Sequence, residues 1–554
     1  MSPTPRAEVL SSLAIHLNAT PLYILLPIVL VFVSLVRTLA RKLSIAHRSH
    51  QLRCLPPPLE PSRLPLGIDT VLASLRADRE QRTPDHVAAR FNRLDSSSHT
   101  FRLSLLGTTN LVTADPRNIQ ALLATQFAHF GMGAARSTNL RTVLGRSIFA
   151  ADGDAWKSAR ELMRPLFSRE NVSRLDLLEA HVRVLFSCIE RDLDSSTSWT
   201  GAVSLASLLP SLTLDSATEL FLGQSTSTLE ARLHESNNNI NNKTHAGMDF
   251  HHAFERMLAL LGVRMRLRTF YWAYGSRELQ ACVRTLHSFV DEAIIASDEA
   301  KRRGDSLARY DFLDILRSRC GGDDAEVREQ VLGLLAAGRD TTASLMSWVW
   351  YCLLRSPRVF AKLRAEVLDS FGPDGDAAAV GGRVTFATLK QCAYLQHVLS
   401  EALRMHSVVP FNSRRALKDT TLPTGGGPDG ISPIFVPKGT EVNFSTHVLH
   451  RRKDLWGDDA DEFVPERWEK KRGVASAAWH FVPFNGGPRI CIGQQLALTE
   501  AGYVIVRMLQ RYETVEGLDV DPTRDWHNFT VVCSPGSPID RNEAVLCRLK
   551  VAQA

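Results

Sequence analysis

The sequence predicts a mainly α-helical fold with small β-sheets, built as one large domain from about residue 67 to residue 554. Apolar residues recur at helical spacing from about residue 155 to residue 415. Short strand-like pieces, separated by glycine and proline turns, lie on both sides of that stretch. The composition keeps one character throughout and shows no internal repeat, so a second domain is not expected.

Two stretches of the sequence show strand-like patterns. The stretch "FRLSLLGTTNLVTADP", 101–116, has the pattern of a strand pair that ends at the start of a helix. The stretch "TTLPTGGGPDGISPIFVPKGTEVNF", 420–444, alternates turn residues with short strands. Two polar or glycine-rich stretches, 235–245 and 371–383, predict loops between helices.

Composition excludes several classes of protein. The chain has 554 residues, of which 44% are hydrophobic and 22% charged, which is a globular composition with a large core. The net charge is +6, and lysine and arginine are spread along the chain, so no nucleic-acid partner is expected. Nine cysteines form no CxxC pair, which disfavours a disulfide framework or a cysteine zinc site and favours a reducing compartment.

The N-terminus predicts a membrane anchor. The stretch "ATPLYILLPIVLVFVSLV", 19–36, is uncharged and, with the uncharged residues before it, about long enough to cross a bilayer. A cleaved signal peptide is the alternative, but the first residues are not basic and no cleavage site follows. Basic residues after the anchor place its C-terminal side in the cytosol. The expected order is a lumenal tail 1–18, the anchor 19–36, a basic and proline-rich hinge 37–66, and a cytosolic catalytic domain 67–554.

A lone cysteine follows a glycine-rich loop in "FVPFNGGPRICIGQQLALTE", 481–500. Cys491 precedes a predicted helix, whose dipole and unpaired amides favour a thiolate. The glycines let the backbone approach a flat, bulky group, and Arg489 could pair with an anion beside it. A single cysteine is usually inert core, but the complete pattern F-x-x-G-x-R-x-C-x-G, 484–493, favours a ligand.

A second group lies on a helical run from about 324 to 355. Gly338, Thr341 and Thr342 stand at i, i+3 and i+4 and therefore share one face. A glycine inside a helix costs about 1 kcal/mol relative to alanine, so it calls for a reason. A ligand beside the helix and a packing glycine in a buried helix both supply one, and the helix alone does not decide between them.

The cysteine loop resembles the haem-thiolate loop of the cytochrome P450 monooxygenases, through Phe484, Gly487, Arg489, Cys491 and Gly493. The resemblance implies a triangular helical domain with haem b between the long oxygen-binding helix and the helix after Cys491. Cys491 would be the axial ligand of the haem iron, because a thiolate favours cleavage of the O–O bond.

The long helix resembles the oxygen-binding groove of the same family, whose pattern A-G-x-D-T-T falls on Ala337, Gly338, Asp340, Thr341 and Thr342. The resemblance implies that Thr341 donates a hydrogen bond to bound dioxygen and that Asp340 helps to relay protons from solvent.

Further residues acquire roles only from this resemblance, because alone each is an ordinary surface or core residue. Those expected near the haem propionates are Arg489, Trp156, Arg160 and Arg414, with Arg415 as the competing neighbour of Arg414. Those expected in a structural charge network on the thiolate side are Glu401, Arg404 and Arg467.

Within the family, the chain is most similar to the fungal class that hydroxylates n-alkanes and fatty acids. The stretches "TTLPTGGGPDGISPIFVPKG" and "FNGGPRICIGQQLALTEAGYVIVRMLQRY" carry this resemblance. Filamentous fungi use relatives of this class on polyketide-derived chains. The expected substrate is therefore a small hydrophobic molecule with a long aliphatic chain, although the polar insert 235–245 departs from the class.

The resemblance also implies partners and a location. Electrons would come from NADPH through cytochrome P450 reductase, with cytochrome b5 as a second candidate donor, at the endoplasmic reticulum membrane. An apolar substrate pocket is expected, although its candidate residues suit plain core equally well. They are Phe127, Phe130, Leu334, Ala337, Val408, Val409 and Phe411.

Two other functions remain open at this level. A haem-thiolate isomerase or dehydratase needs no external electrons, and a membrane haem sensor or carrier needs no turnover. The pair Asp340–Thr341 argues against both, because it serves dioxygen activation.

Overall fold

The computed structural model describes residues 22–94, 99–234, 242–304, 311–374, 384–470, 478–518, 524–527, 532–536 and 544–553. The predicted tail 1–18, the start of the anchor, most of the polar insert and most of the loop 371–383 lie outside the described residues.

Helices make up most of the described chain. In chain order, α1 to α20 are Leu22–Gln51, Ile68–Arg79, Thr83–Arg93, Pro116–Gln120, Ala134–Leu144, Gly153–Met163, Arg169–Val172, Leu175–Ile189, Leu205–Leu222, Thr228–His234, Asn242–Arg266, Arg277–Arg303, Asp311–Arg319, Asp324–Arg355, Pro357–Phe371, Phe386–Gln391, Ala393–Met405, Thr446–Leu449, Lys453–Trp456 and Gln494–Arg511.

The strands are short. In chain order, β1 to β12 are Thr100–Leu105, Thr108–Thr113, Phe130–Gly131, Val203–Ser204, Phe411–Ala416, Thr420–Gly426, Ser432–Val436, Glu441–Ser445, Tyr512–Gly517, Arg524–His527, Cys533–Gly536 and Leu546–Val551. The prediction of a mainly helical fold with small sheets is confirmed.

The largest sheet of the described chain has the strand order β1-β2-β8-β5-β3. Its pairs are antiparallel except β2 and β8. The predicted strand pair within 101–116 is β1 and β2, and it ends at α4. There the Asp115 carboxylate accepts hydrogen bonds from the amides of Arg117 and Asn118. The strands predicted within 420–444 are β6, β7 and β8, so both strand regions are confirmed.

Helix α14 runs through the centre of the domain and matches the helical run predicted at 324–355. Its N-cap is Asp323, whose carboxylate accepts hydrogen bonds from the amides of Ala325 and Glu326. Its first half packs in a core with α9, α11 and α12, and its second half packs in another core with α8, α17 and α20. Because α14 is buried on most of its surface, any accessible patch on it marks an internal space.

Helix α1 starts within the predicted anchor and continues to Gln51. Its described apolar side chains from Leu26 to Leu43 are largely exposed. No helix in the part of the chain that the structure describes combines the length and hydropathy that a bilayer crossing requires.

The segment after α1 is attached to the domain. The amide of Leu55 donates to Pro433 O at 2.9 Å, and the amide of Arg102 in β1 donates to Pro58 O at 2.8 Å. Arg48, near the end of α1, forms an ion pair with Asp419. The predicted hinge is therefore held against two sheets.

Candidate functional site

The cysteine loop is closed by its own backbone. The amide of Cys491 donates to Phe484 O at 3.0 Å, so the two ends of the motif meet. Gly487 has φ of 64°, and a Cβ there would lie 1.9 Å from Leu123 O. Only glycine fits such a position, so the loop must pass close to the segment that follows α4. Gly493 then caps α20, and the amide of Ala497 donates to Gly493 O at 2.9 Å.

The Cys491 side chain keeps accessible surface although it stands inside the protein. Burial raises the pKa of its thiol, whereas the amide of Gly493 and the charge of Arg160 act to lower it. A group that is both accessible and desolvated lines a recess. The thiol therefore faces an internal space at the start of α20.

The face of α14 that carries the threonine motif also keeps accessible surface inside the protein. Ala337, Gly338 and Thr341 keep accessible surface, whereas nearly all their neighbours along the helix are buried. A Cβ added to Gly338 would meet no atom within 4 Å. The glycine is therefore not needed for packing, and the space beside it can hold a ligand. Thr341 Oγ1 donates to Ala337 O at 2.6 Å within the helix.

Three arginines gather near the cysteine loop. Arg414 is 4% exposed, and its Nε is buried without a hydrogen-bond partner, as is Arg136 Nε. Burial lowers the pKa of Arg414 to about 9, and the charges of Arg136 and Arg489 add to this effect. Burial also lowers the pKa of Arg489 to about 10, against the opposing charge of Asp152. A buried cluster with excess positive charge and unused donors suits an anionic ligand.

Aromatic and acidic groups orient this cluster. Arg489 donates to Asp152 Oδ1 at 2.6 Å, and its guanidinium lies 4.5 Å from the centre of the Trp156 ring. Trp156 also packs against Phe127. Arg160, one turn further along α6, donates to Ile490 O at 3.0 Å, beside the cysteine. Helix α6 and its N-cap thus contact the cysteine loop at both Arg489 and Ile490.

The comparisons with known proteins identify the family. The model of the family described as Cytochrome P450 matches residues 78–538. The chain belongs to the cytochrome P450 family. It is 63% identical to cytochrome P450 monooxygenase alt2 of Alternaria solani, over 96% of this chain and 99% of that one. It is 42% identical to cytochrome P450 monooxygenase g430 of Fusarium sp, over 88% and 84% of the two chains.

A third relative, cytochrome P450 52A13 of Debaryomyces hansenii, is 39% identical over 77% of this chain and 80% of its own. The predicted resemblance is thus confirmed, and the chain is a P450 monooxygenase, an oxidoreductase. As a P450, it uses a cysteine-ligated haem, dioxygen and electrons from NAD(P)H through a partner protein.

The residues of this site fit a haem. Cys491 offers an accessible thiol and Gly338 lies beside open space, and the helices that position them, α20 and α14, pack in one core. Two carboxylates of a haem would give Arg414 and Arg136 the acceptors that they lack. The haem would supply the chemistry that activates dioxygen, which protein side chains cannot perform alone.

The predicted propionate residues are not equivalent in the structure. Arg414 is buried, whereas Arg415 is 39% exposed at its side chain and pairs with Glu441 at 3.6 Å. Arg414 is therefore the one that joins the cluster. Arg136 was not among the predicted residues. It lies in α5 and meets Arg414 only through tertiary contact, sharing the side-chain oxygen of Asn412.

Asp340 is buried and is paired with its neighbour in the chain. Arg339 Nη1 donates to Asp340 Oδ1 at 3.2 Å, and Arg339 Nη2 donates to Glu255 Oε1 at 2.8 Å. Arg339 is 1% exposed at its side chain, whereas Glu255 is 46% exposed. The arginine thus joins a buried carboxylate beside Thr341 to a carboxylate that reaches solvent.

Glu401, Arg404 and Arg467 are joined in one buried network. Both oxygens of Glu401 accept from Arg404, at 2.8 and 2.9 Å, and both side chains are fully buried. Arg467 lies 3.4 Å from Glu401, and Trp468 Nε1 donates to Glu401 at 2.8 Å. Arg404 also donates to the carbonyls of His450 and Ala460. This network ties α17 to the chain that leads into the cysteine loop.

The predicted pocket residues divide into two groups. Phe130, Leu334 and Val408 are buried among core side chains, at 4%, 4% and 8% exposure. The others keep some accessible surface: Phe127, Ala337, Val409 and Phe411.

Proposed function

We propose that this P450 inserts one oxygen atom of dioxygen into a C–H bond of a long aliphatic chain. The observation that supports it is the open face of Ala337, Gly338 and Thr341 in the otherwise buried α14. The only side-chain polar group among these three residues is the hydroxyl of Thr341. A substrate without polar groups near the oxidised carbon can lie against it at no cost in lost hydration.

Residues of the chain have definite tasks in this proposal. Cys491 holds the haem iron, and Arg414, Arg489, Arg136, Trp156 and Arg160 bind and orient the propionates. Thr341 can turn its hydroxyl from Ala337 O toward the open space, because that bond is local to the helix. Asp340 takes up protons from the solvent side when Arg339 releases it and keeps Glu255 as its partner; Arg339 itself stays protonated.

The electron donor in the proposal is an NADPH-dependent cytochrome P450 reductase, with cytochrome b5 as an additional donor. The substrate is a fatty acid, an alkane or a polyketide-derived chain of fungal secondary metabolism. The relatives in Alternaria and Fusarium support the monooxygenase activity by their names. Intact Asp340 and Thr341 disfavour a redox-independent isomerase or dehydratase, which has no use for a proton relay.

The proposal includes attachment to the endoplasmic reticulum membrane, with the catalytic domain in the cytosol. Its support is the exposed apolar surface of α1 from Leu26 to Leu43 and the basic residues Arg37, Arg41 and Lys42. Removing residues 1–36 should shift the protein from the membrane fraction to the soluble fraction. Retention in the membrane fraction would contradict attachment through this segment.

The test of the activity uses purified full-length protein with the reductase in lipid vesicles. With aliphatic substrates of matched chain length, the enzyme should consume NADPH and yield hydroxylated product that carries ¹⁸O from ¹⁸O₂. Product formed without NADPH or without label would instead identify an isomerase or dehydratase. Haem binding without turnover of any chain would identify a sensor or carrier.

A further inference from the structure

Helix α14 carries a buried amide without partners. Gln330 is 1% exposed, and neither its side-chain oxygen nor its nitrogen has a hydrogen-bond partner. A carboxamide can make several hydrogen bonds, and leaving a buried polar group unpaired destabilises a fold. Gln510 in α20 has the same burial but donates to Gly372 O and accepts from Arg507. The lack of partners at Gln330 is therefore specific to its position.

That position lies on the same side of α14 as its open face, one to two turns nearer the N-terminus. Gln330, Leu334, Ala337 and Thr341 are separated by four, three and four residues, a spacing that keeps side chains on one face of a helix. Gln330 precedes Gly338 by eight residues, which is about 12 Å along the axis. The amide thus lies on the side of α14 that lines the recess further along the helix, although Gln330 and Leu334 are themselves buried, and it is well away from the oxidised carbon.

A second unpartnered group lies against Gly333, one turn further along α14. Ser147 is 0% exposed, and its Oγ also has no hydrogen-bond partner. The loop of Ser147 follows α14 closely, because the amide of Arg146 donates to Glu329 at 2.9 Å. A Cβ on Gly333, one turn from Gln330, would lie 3.0 Å from Ser147 Cβ. A hydroxyl and a carboxamide are therefore available within one turn of the same helix.

The charges nearby restrict what these groups can bind. The guanidinium of Arg146 is directed to Asp323 and Glu329, at 2.9 and 3.2 Å. No cation among the described contacts is directed to Gln330 or Ser147. An ionised carboxylate buried there would lack a counter-charge, whereas a hydroxyl or carbonyl can pair with an amide and a hydroxyl.

We infer that Gln330, with Ser147, is a specificity-determining site for a neutral oxygen-bearing group at the far end of the substrate chain. This inference rests on the proposed aliphatic-chain function. An extended chain advances about 3.5 Å over three bonds, so about 12 Å corresponds to about ten bonds. The substrate class is an aliphatic chain with a hydroxyl or carbonyl about ten bonds from the oxidised carbon, not a free fatty acid.

The test compares three ligands with the same chain, dodecane, 1-dodecanol and dodecanoate, by calorimetric titration and by the haem absorption shift. Wild-type protein should bind 1-dodecanol more tightly than dodecane, and more tightly than dodecanoate, which is ionised at neutral pH. Gln330→Met keeps the side-chain volume and should weaken 1-dodecanol binding about fivefold, the effect of one hydrogen bond. Its affinity for dodecane should not change.

Thermal unfolding of the same proteins gives an independent readout. Gln330→Met should leave the melting temperature unchanged or higher, because no partner in the chain is lost. Gln510→Met is the matched control and should lower it. The inference is overturned if Gln330→Met lowers the melting temperature as the control does, or if the preference for 1-dodecanol persists. If wild-type protein binds none of the three ligands, the proposed function itself is wrong.

Discussion

Arg339 and Asp340 are consecutive in the chain, and yet their side chains meet at 3.2 Å inside the protein. Consecutive residues of a helix normally point apart. Here both side chains are buried, and Arg339 reaches across to Glu255 at the same time. The acid beside the recess is therefore held by a residue that also contacts the solvent side.

The contact of Arg339 with Glu255 predicts a role in proton supply. In Glu255→Gln, Arg339 keeps Asp340 as its charged partner, and the two should be held together more tightly. The fraction of NADPH converted to product should then fall, and the solvent deuterium isotope effect should rise. Glu278→Gln is the control, because Glu278 pairs with Arg256 in an exposed ion pair. Equal isotope effects in the two variants would contradict this role.

Cys491 is predicted to be the haem ligand. Cys491→Ala should lose the red-shifted Soret band of the reduced carbon monoxide complex, because that band requires thiolate ligation. Cys320→Ala removes a half-buried thiol elsewhere in the described chain and should keep the band. Survival of the band in Cys491→Ala would overturn the assignment of the site.

Thr341 is predicted to keep NADPH use coupled to product. Thr341→Ala removes the hydroxyl on the open face of α14, and the yield of product per NADPH should fall about fivefold or more, the effect of one hydrogen bond. Peroxide should appear in its place. Thr341→Ser restores a hydroxyl and should recover most of the yield. An unchanged yield in Thr341→Ala would remove this residue from the reaction.

The network around Glu401 is predicted to be a large source of stability. Glu401→Gln leaves Arg404 fully buried with less than its full charge compensation, which should lower the free energy of unfolding by about 3–5 kcal/mol. Glu516→Gln breaks an ion pair whose partners are both 46% exposed, and it should cost less than about 1 kcal/mol. Chemical denaturation measures both, and similar losses would contradict the prediction.

Glu500 predicts a pH dependence of stability. Burial raises its pKa to about 7, although Ser216 and the charge of His181 act to lower it. The folded state therefore holds a proton that the unfolded state has released. Between about pH 4.5 and pH 7 this group should reduce stability as the pH rises, by up to about 3 kcal/mol.

The variant Glu500→Gln isolates this effect. It cannot ionise, so its stability relative to wild type should increase from pH 5 to pH 8 and then level off. Denaturation curves at four pH values in this range would show it. A constant difference between the two proteins would mean that Glu500 does not titrate there.

The motifs within one segment were predictable from the sequence. The cysteine loop and the A-G-x-D-T-T helix have their functional residues at fixed local spacings, and helical periodicity located α14. Gly338 marks a limit of the sequence, because only the structure distinguishes a packing glycine from one beside open space. Arg136 shows the same limit, since its helix carries no motif and tertiary packing alone brings it to Arg414.

The pocket was the least predictable part, for a physical reason. An apolar side chain that lines a cavity and one that fills a core have the same composition and periodicity. Phe130 and Val408 are buried as core side chains are, whereas Phe127 and Val409 keep accessible surface. Gln330 could not be singled out either, because a missing hydrogen bond has no signature in sequence.

The attachment of the segment around Leu55 and Pro58 to β7 and β1 has a kinetic consequence. A free linker would let the catalytic domain tumble above a lipid surface, and its substrate entrance would sample water and lipid alike. With the linker held by the sheets, α1 and the domain would turn as one body on the proposed membrane, and the substrate entrance would keep a constant height over the bilayer. The rate of substrate supply would then depend on how the aliphatic substrate partitions between lipid and water, and not on its aqueous concentration.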